Sequence, residues 1–175
     1  MSLSGKKVLV LTANYFEESE LIYAVYRLRE EGAEVTVASP DGAALTGKNH
    51  MSPFPVDASY DAVGANSFDA VVIPGGFAPD LVRRFPKALE LVRDINAANK
   101  PVATVCHGGW VAISAGIVKG RKATAVSAIK DDMVNAGVNF VDEPVVVDGN
   151  LITSRVPADM GLWMKALIEA IRTAS

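Results

Sequence analysis

The feature that most constrains this chain is a repeated alternation. Runs of five to seven residues, mostly apolar, lead into segments with helical spacing of apolar residues. Residues 7–12 (KVLVLT), 33–39 (AEVTVAS), 68–73 (FDAVVI) and 101–105 (PVATV) are the runs. A strand apolar at successive positions is covered on both faces, which is the habit of parallel sheets. Between the first two runs, Leu21, Val25 and Leu28 share one helical face while Arg27, Arg29 and Glu30 take the other, and Gly32 is placed to end the helix. Further helical patterns fall near residues 78–84, 87–99, 110–118 and 128–136. Residues 145–147 and 151–154 flank Asp148-Gly149-Asn150, a hairpin signal. The last helix begins near Pro157, and its apolar face is Met160, Trp163, Met164, Leu167, Ile168 and Ile171. Residues 43–68 carry only short β-like pieces around Gly47-Lys48-Asn49, limited by Pro53 and Pro55. Strands alternating with helices predict an α/β/α three-layer sandwich with a flavodoxin-like, mostly parallel sheet. At 175 residues the chain suits a single domain over 1–175.

Composition narrows the function. Half of the residues are hydrophobic and 21% are charged, which excludes a disordered chain. The 17 Lys and Arg against 20 Asp and Glu are interspersed, with no basic block, so no nucleic-acid binding is expected. No apolar run is long enough for a membrane span, and the lone cysteine fits a reducing compartment, so the expected location is cytoplasmic. One cysteine and two histidines leave no disulfide framework and supply a metal site poorly, so neither metal nor cofactor is expected.

In open α/β sheets a site lies at the carboxyl ends of the strands. That rule selects the loops after Thr12, Ile73 and Val105. Cys106-His107-Gly108 follows the last of these and opens a helix, as in a nucleophile elbow. Unpaired N–H groups and the helix dipole there are expected to lower the thiol pKa. The bland alternative is a buried cysteine acting as a small hydrophobe. His107 reads as base or proton shuttle, or as a histidine bonded to backbone. After Thr12, Glu17 and Glu18 read as helix-terminal carboxylates, capping and solvated. Glu20 precedes the apolar face and is the one expected to point inward, towards the thiol. Gly75 and Gly76 read as oxyanion-hole donors or simply as a tight turn. Asp80 reads as a helix cap or as the third member of a triad. His50 reads as structural or solvent-exposed, Trp110 as core or interface packing rather than pocket lining, and Arg155 as paired with a carboxylate near the site or at the surface.

Five stretches then carry a resemblance over nearly the whole chain: Phe16 to Tyr23, Val71 to Gly76, Pro101 to Gly108, Ile129 to Gly137, and Ser154 to Asp159. In that order they resemble the PfpI intracellular protease family of the ThiJ/PfpI superfamily, which also holds the parkinsonism-associated deglycase and shares the class I glutamine amidotransferase-like fold. The resemblance implies a Cys106 nucleophile, His107 as its base and Glu20 beside the thiol; alongside it, the residues themselves make Gly75, Gly76 and Gly108 the expected oxyanion or substrate-binding positions. It implies a homodimer or hexamer in which Asp80, where a glutamate is usual, reaches the histidine of an adjacent copy. The tyrosine often found before Ile129-Lys130-Asp131 is absent here, where Val126-Ser127-Ala128 stands.

The expected function is a cysteine-dependent hydrolase acting on small reactive carbonyls, peptides or glycated proteins, as peptidase, deglycase or glyoxalase-like stress enzyme. The alternative is a non-catalytic redox sensor or chaperone acting through Cys106 oxidation. A flavodoxin-like binding module is disfavoured because no phosphate-binding loop is evident.

Overall fold

A computed structural model describes residues 2–51 and 53–174; Met1 and Ser175, the ends of the expected 1–175 unit, lie outside them. In chain order the elements are β1 (Lys7–Leu11), α1 (Glu18–Glu30), β2 (Glu34–Ser39), β3 (Ala58–Ser59), β4 (Ala70–Ile73), α2 (Ala78–Val82), α3 (Pro86–Ala97), β5 (Val102–Val105), α4 (Gly109–Ser114), β6 (Lys122–Ala123), α5 (Lys130–Asn135), β7 (Asn139–Phe140), β8 (Val145–Asp148), β9 (Leu151–Ser154) and α6 (Met160–Thr173).

The main sheet has seven strands in the order β3-β2-β1-β4-β5-β9-β8. Its neighbours are parallel, except β8, which runs antiparallel to β9 through the Asp148-Gly149-Asn150 hairpin. Val10 sits in register with Val37 on one side and Val72 on the other, and β4 and β5 are buried along their whole length. This is the α/β sandwich that the unbroken apolar runs predict. From β1 the chain steps to β2, whereas from β4 it steps the opposite way to β5. Right-handed crossovers therefore place α1 and α3 on opposite faces of the sheet. The strand order reverses between β1 and β4, and a crevice opens there at the carboxyl ends of the strands.

The helices end where their residues require. Glu17 caps α1 by accepting the Ser19 N–H at 3.3 Å, and Leu21, Ala24, Val25 and Leu28 face the core. α1 closes at Gly32, whose φ of +93° suits a residue without Cβ. α4 is shorter than its apolar pattern predicts. Gly116 turns left-handed at φ +74°, and the Ile117 N–H returns to Ala112 O at 3.2 Å, a Schellman-type stop. The patterns near 128–136 and 157 begin as 3₁₀ turns, Ser127–Ile129 and Pro157–Asp159, before α5 and α6 take over. The weak stretch of residues 43–68 forms an antiparallel bridge between Leu45 and Phe54 and the edge strand β3. The small parallel pair β6–β7 had no sequence signal, being two residues per strand. Among the described residues, no helix is long and apolar enough to cross a membrane.

Candidate active site

Three strand ends meet at the crevice. β5 ends at Val105, and Cys106 follows in a left-handed conformation at φ +58°, at the start of the 3₁₀ turn Cys106–Gly108 that feeds α4. A non-glycine residue held there costs on the order of 1–2 kcal/mol, so the surrounding structure enforces the elbow. Gly108 permits it: a Cβ at that position would lie 2.5 Å from Ile73 O, so only glycine lets the elbow pack against β4. Gly108 is buried and acts on the site through that packing.

The loop after β4 is knitted to the loop after β1. Glu17 N–H donates to Gly75 O at 3.1 Å and Phe77 N–H to Tyr15 O at 2.8 Å, with Phe16 and Gly76 bridged antiparallel. Gly76 has φ +77°, and a Cβ there would approach Glu17 N to 2.4 Å. This stitching holds α1 so that Glu20, with no solvent exposure, points beneath the elbow. Its Oε2 accepts the Gly75 N–H at 2.7 Å, while Oε1 is buried without a hydrogen-bond partner. A Cβ at Gly75 would lie 2.6 Å from Cys106 Cβ, 2.7 Å from Glu20 Oε2 and 3.1 Å from Cys106 Sγ. The missing side chain is thus what allows carboxyl and thiol to face one another.

Cys106 Sγ lies 3.2 Å from His107 Nδ1. The His107 ring meets Trp110 edge-on, with centroids 5.0 Å apart, and Trp110 is itself held by Asp132, which accepts its indole N–H at 2.7 Å. Arg83 stands over that indole, its Cζ 5.6 Å from the ring centroid.

The electrostatics are those of a buried acid beside a buried thiol. Burial raises Glu20 from 4.5 to about 7, the nearby Glu17 charge adds to the rise, and the Gly75 N–H opposes it. Burial, and after it the charge of the Glu20 carboxylate, together push the Cys106 thiol up to about 12. The N–H groups of Gly76 and His107 favour the thiolate but do not outweigh these two effects. The expectation of a thiol lowered by a helix terminus is therefore corrected: α4 is only six residues long, and a carboxylate lies beside the sulfur. The acid and the thiol titrate as a pair, and protonation of Glu20 removes the main charge that opposes a thiolate. Burial and the Lys48 ammonium lower His107, which favours a neutral imidazole able to take a proton.

Cys106, His107, Glu20, Gly75 and Gly76 are brought together. The Gly75 N–H is already engaged by Glu20, so the backbone donors directed at the sulfur are those of Gly76 and His107. Asp80 is elsewhere within the chain. It pairs with Arg84 at 2.5 Å on the surface of α2, and no carboxylate within the described residues bonds to His107. Arg155 pairs with Asp142 at 2.7 Å and Asp159 at 2.9 Å. His50 is exposed. No cluster of metal-ligating side chains occurs among the described residues.

Sequence reasoning missed Lys48. It pairs with Glu17 and acts electrostatically on Cys106, Glu20 and His107. Glu17 does cap α1 as expected, but it is also buried beside the site, while Glu18 anchors Asn49 through its N–H at 2.7 Å and its side-chain amide at 2.9 Å.

Residues 6–170 match the DJ-1/PfpI family. The chain is 51% identical to a deglycase of Pyrococcus horikoshii, over 95% of this chain and 99% of that one. It is 40% identical to protein/nucleic acid deglycase 2 of Escherichia coli, over 96% and 97% respectively. The crystal structure of Drosophila melanogaster DJ-1beta superposes with a TM-score of 0.90 at 31% identity, covering 95% of this chain and 90% of that one.

Proposed function

The chain belongs to the DJ-1/PfpI family, and from that premise we propose that it is a Cys106-dependent enzyme of the deglycase type, acting on reactive carbonyls and their early adducts with amines. The observation that carries this reading is the left-handed Cys106, its sulfur 3.2 Å from His107 Nδ1 and its carboxyl neighbour Glu20 beneath. A strained cysteine costs stability at a place where a glycine would serve the fold, and such strain marks functional sites.

In the proposed chemistry, proton transfer from the thiol to His107 generates the nucleophile. Sγ attacks the carbonyl carbon, a C–S bond forms, and the carbonyl π pair moves onto oxygen, where the Gly76 and His107 N–H groups stabilise it. On an early adduct the C–N bond of the hemiaminal breaks first, its electron pair leaving with the amine, which takes a proton through His107, while the hydroxyl oxygen re-forms the carbonyl that Sγ attacks. In the hemithioacetal the hydrogen on the sulfur-bearing carbon then moves to the neighbouring carbonyl carbon, and water cleaves the C–S bond of the resulting thioester, releasing lactate and the Cys106 thiol. Glu20, whose pKa of about 7 leaves it part-protonated near neutrality, donates to the sulfur side of the site and keeps negative charge from accumulating there. The deglycase names of the relatives favour glycated amines over intact peptides as substrates. The Escherichia coli relative's name covers both protein and nucleic acid, so glycated nucleotides belong in the substrate panel. In this reading Asp80 serves the His107 of an adjacent copy in a homodimer or hexamer.

The test is methylglyoxal consumption with lactate followed directly, in buffer free of amines. Wild type should turn over and Cys106→Ser should not; equal rates in the two proteins would overturn the reading. A second reading, redox sensing, is favoured by the unpartnered Glu20 Oε1, which in its protonated form has a hydrogen bond to give an oxidised sulfur. Peroxide would convert the thiolate to sulfenate with release of water, and a second equivalent would give sulfinate. Peroxide titration with a mass readout at Cys106 tests it: no oxygen addition at sub-millimolar peroxide would remove this reading.

A further inference from the structure

Lys48 lies in the stretch of chain with no regular pattern, yet it is held firmly. Gly47 forms a parallel bridge with Phe16, and the Lys48 N–H donates to Phe16 O at 2.9 Å. Glu18 occupies the place a Cβ at Gly47 would need, with Oε1 2.3 Å from it, and grips Asn49 on the other side. The lysine is thereby fixed beside the N-terminus of α1, where its ammonium pairs with the Glu17 carboxylate. Glu17 is in turn tied to the elbow, because its N–H donates to Gly75 O at 3.1 Å and the space beside Gly75 is where Glu20 and Cys106 face one another.

The charged groups around the sulfur can be counted by element. The loop of residues 47–49 contributes Lys48, α1 contributes Glu20 with Glu17 at its cap, and the elbow contributes His107. Arg83 stands over the Trp110 ring. One carboxylate, Glu20, therefore faces the thiol, a second, Glu17, acts on the first, and Lys48 pairs with the second.

We propose that the Lys48–Glu17 ion pair is a charge-balancing device: the ammonium cancels the Glu17 carboxylate, leaves the buried Glu20–Cys106 pair to hold one negative charge, and so sets the pH at which Cys106 becomes reactive. Lys48 and Glu17 are positioning residues, acting through charge on a thiol that neither of them bonds. The Glu17 charge itself raises Glu20, and the Lys48 charge is attracted to both Glu20 and Cys106, which is the sign this role requires. The side chain of Lys48 is 34% exposed and that of Glu17 is 11%, so screening weakens the pair's outer partner more than its inner one.

The inference rests on the Cys106-centred reading only in requiring that the thiol ionise, and its test needs no substrate. The rate of Cys106 alkylation by iodoacetamide is measured against pH by mass spectrometry. In that reaction the thiolate sulfur displaces iodide, a C–S bond forms, and the thiol proton has gone to buffer. For Lys48→Met the midpoint should rise by on the order of one pH unit, slowing alkylation about tenfold at neutral pH. Glu17→Gln should shift it the other way, and its amide oxygen still accepts the Ser19 N–H of the cap. The double variant should return to within about threefold of wild type, and Lys48→Arg should match wild type. An unmoved midpoint in Lys48→Met, or a double variant no faster than Lys48→Met, would overturn the proposal. If circular dichroism shows Lys48→Met unfolded, the Glu17→Gln shift alone decides: acceleration supports the proposal and an unchanged rate overturns it. Midpoints that move as stated in a protein releasing no lactate from methylglyoxal would sink the deglycase reading and leave this one standing.

Discussion

Glu20, with no solvent exposure, accepts the Gly75 amide N–H at 2.7 Å. That single bond does not offset the cost of burying a carboxylate, so the group titrates at about 7, up from 4.5. Between those values the folded chain keeps a proton that the unfolded chain has released. Stability is therefore greatest below pH 4.5 as far as Glu20 is concerned, and is lost as pH rises through about 7, by on the order of 3 kcal/mol. Glu20→Gln removes this slope. Its melting temperature should exceed that of wild type at pH 8, with the gap closing towards pH 5. Parallel curves for the two proteins would contradict the assignment.

Gly75 needs no left-handed backbone, so its role is purely one of space. A methyl group there would press on Cys106 Cβ at 2.6 Å and on Glu20 Oε2 at 2.7 Å. Gly75→Ala should cost about 1–3 kcal/mol, read by urea denaturation. It should also speed Cys106 alkylation, by about tenfold, because prising thiol and carboxyl apart removes the charge that opposes the thiolate, an effect on the order of 1.4 kcal/mol. An unchanged alkylation rate in a destabilised variant would show that the approach of the two groups is unimportant.

Strain at Cys106 predicts a trade between stability and activity. At φ +58° alanine carries the same backbone penalty as cysteine, whereas glycine carries almost none. Cys106→Gly should be more stable than Cys106→Ala by about 1 kcal/mol, although glycine normally loses more entropy on folding. Both should be inactive. A less stable glycine variant would mean that the elbow is not strained.

Asp80 pairs with Arg84 in an exposed, one-turn ion pair worth at most about 0.5 kcal/mol. Asp80→Ala should leave thermal stability nearly unchanged. If this carboxylate serves the His107 of another copy, the variant should nonetheless lose about tenfold or more in kcat, and wild type should lose activity on dilution to monomers before it unfolds. Full activity in dilute monomers would remove Asp80 from the site.

The parallel sheet was legible because β1, β4 and β5 are apolar at nearly every position, a pattern that only a strand covered on both faces sustains. The elbow was legible because Cys106 stands at the joint between a buried strand and a helix. Glu20 could be told from Glu17 and Glu18 by its place at the head of the apolar face. Lys48 was not legible. Its position depends on the bridge between Gly47 and Phe16, a contact 31 residues apart in sequence, and on Glu18 filling space beside a glycine. The direction of the thiol shift was misread for a related reason: helix polarity can be read locally, whereas the carboxylate brought under the sulfur is a tertiary fact. The pairing of Asp80 with Arg84 was available from their four-residue spacing on a helix.

The most direct measurement is the release of lactate and free amine from a lysine or arginine derivative freshly adducted with methylglyoxal, followed in parallel for wild type and Cys106→Ser. The account predicts many equivalents released per wild-type chain, at a rate that exceeds the spontaneous reversal of the adduct, and none above that background for the variant. Equal release by both proteins, or release by wild type that stops at one equivalent, would contradict it.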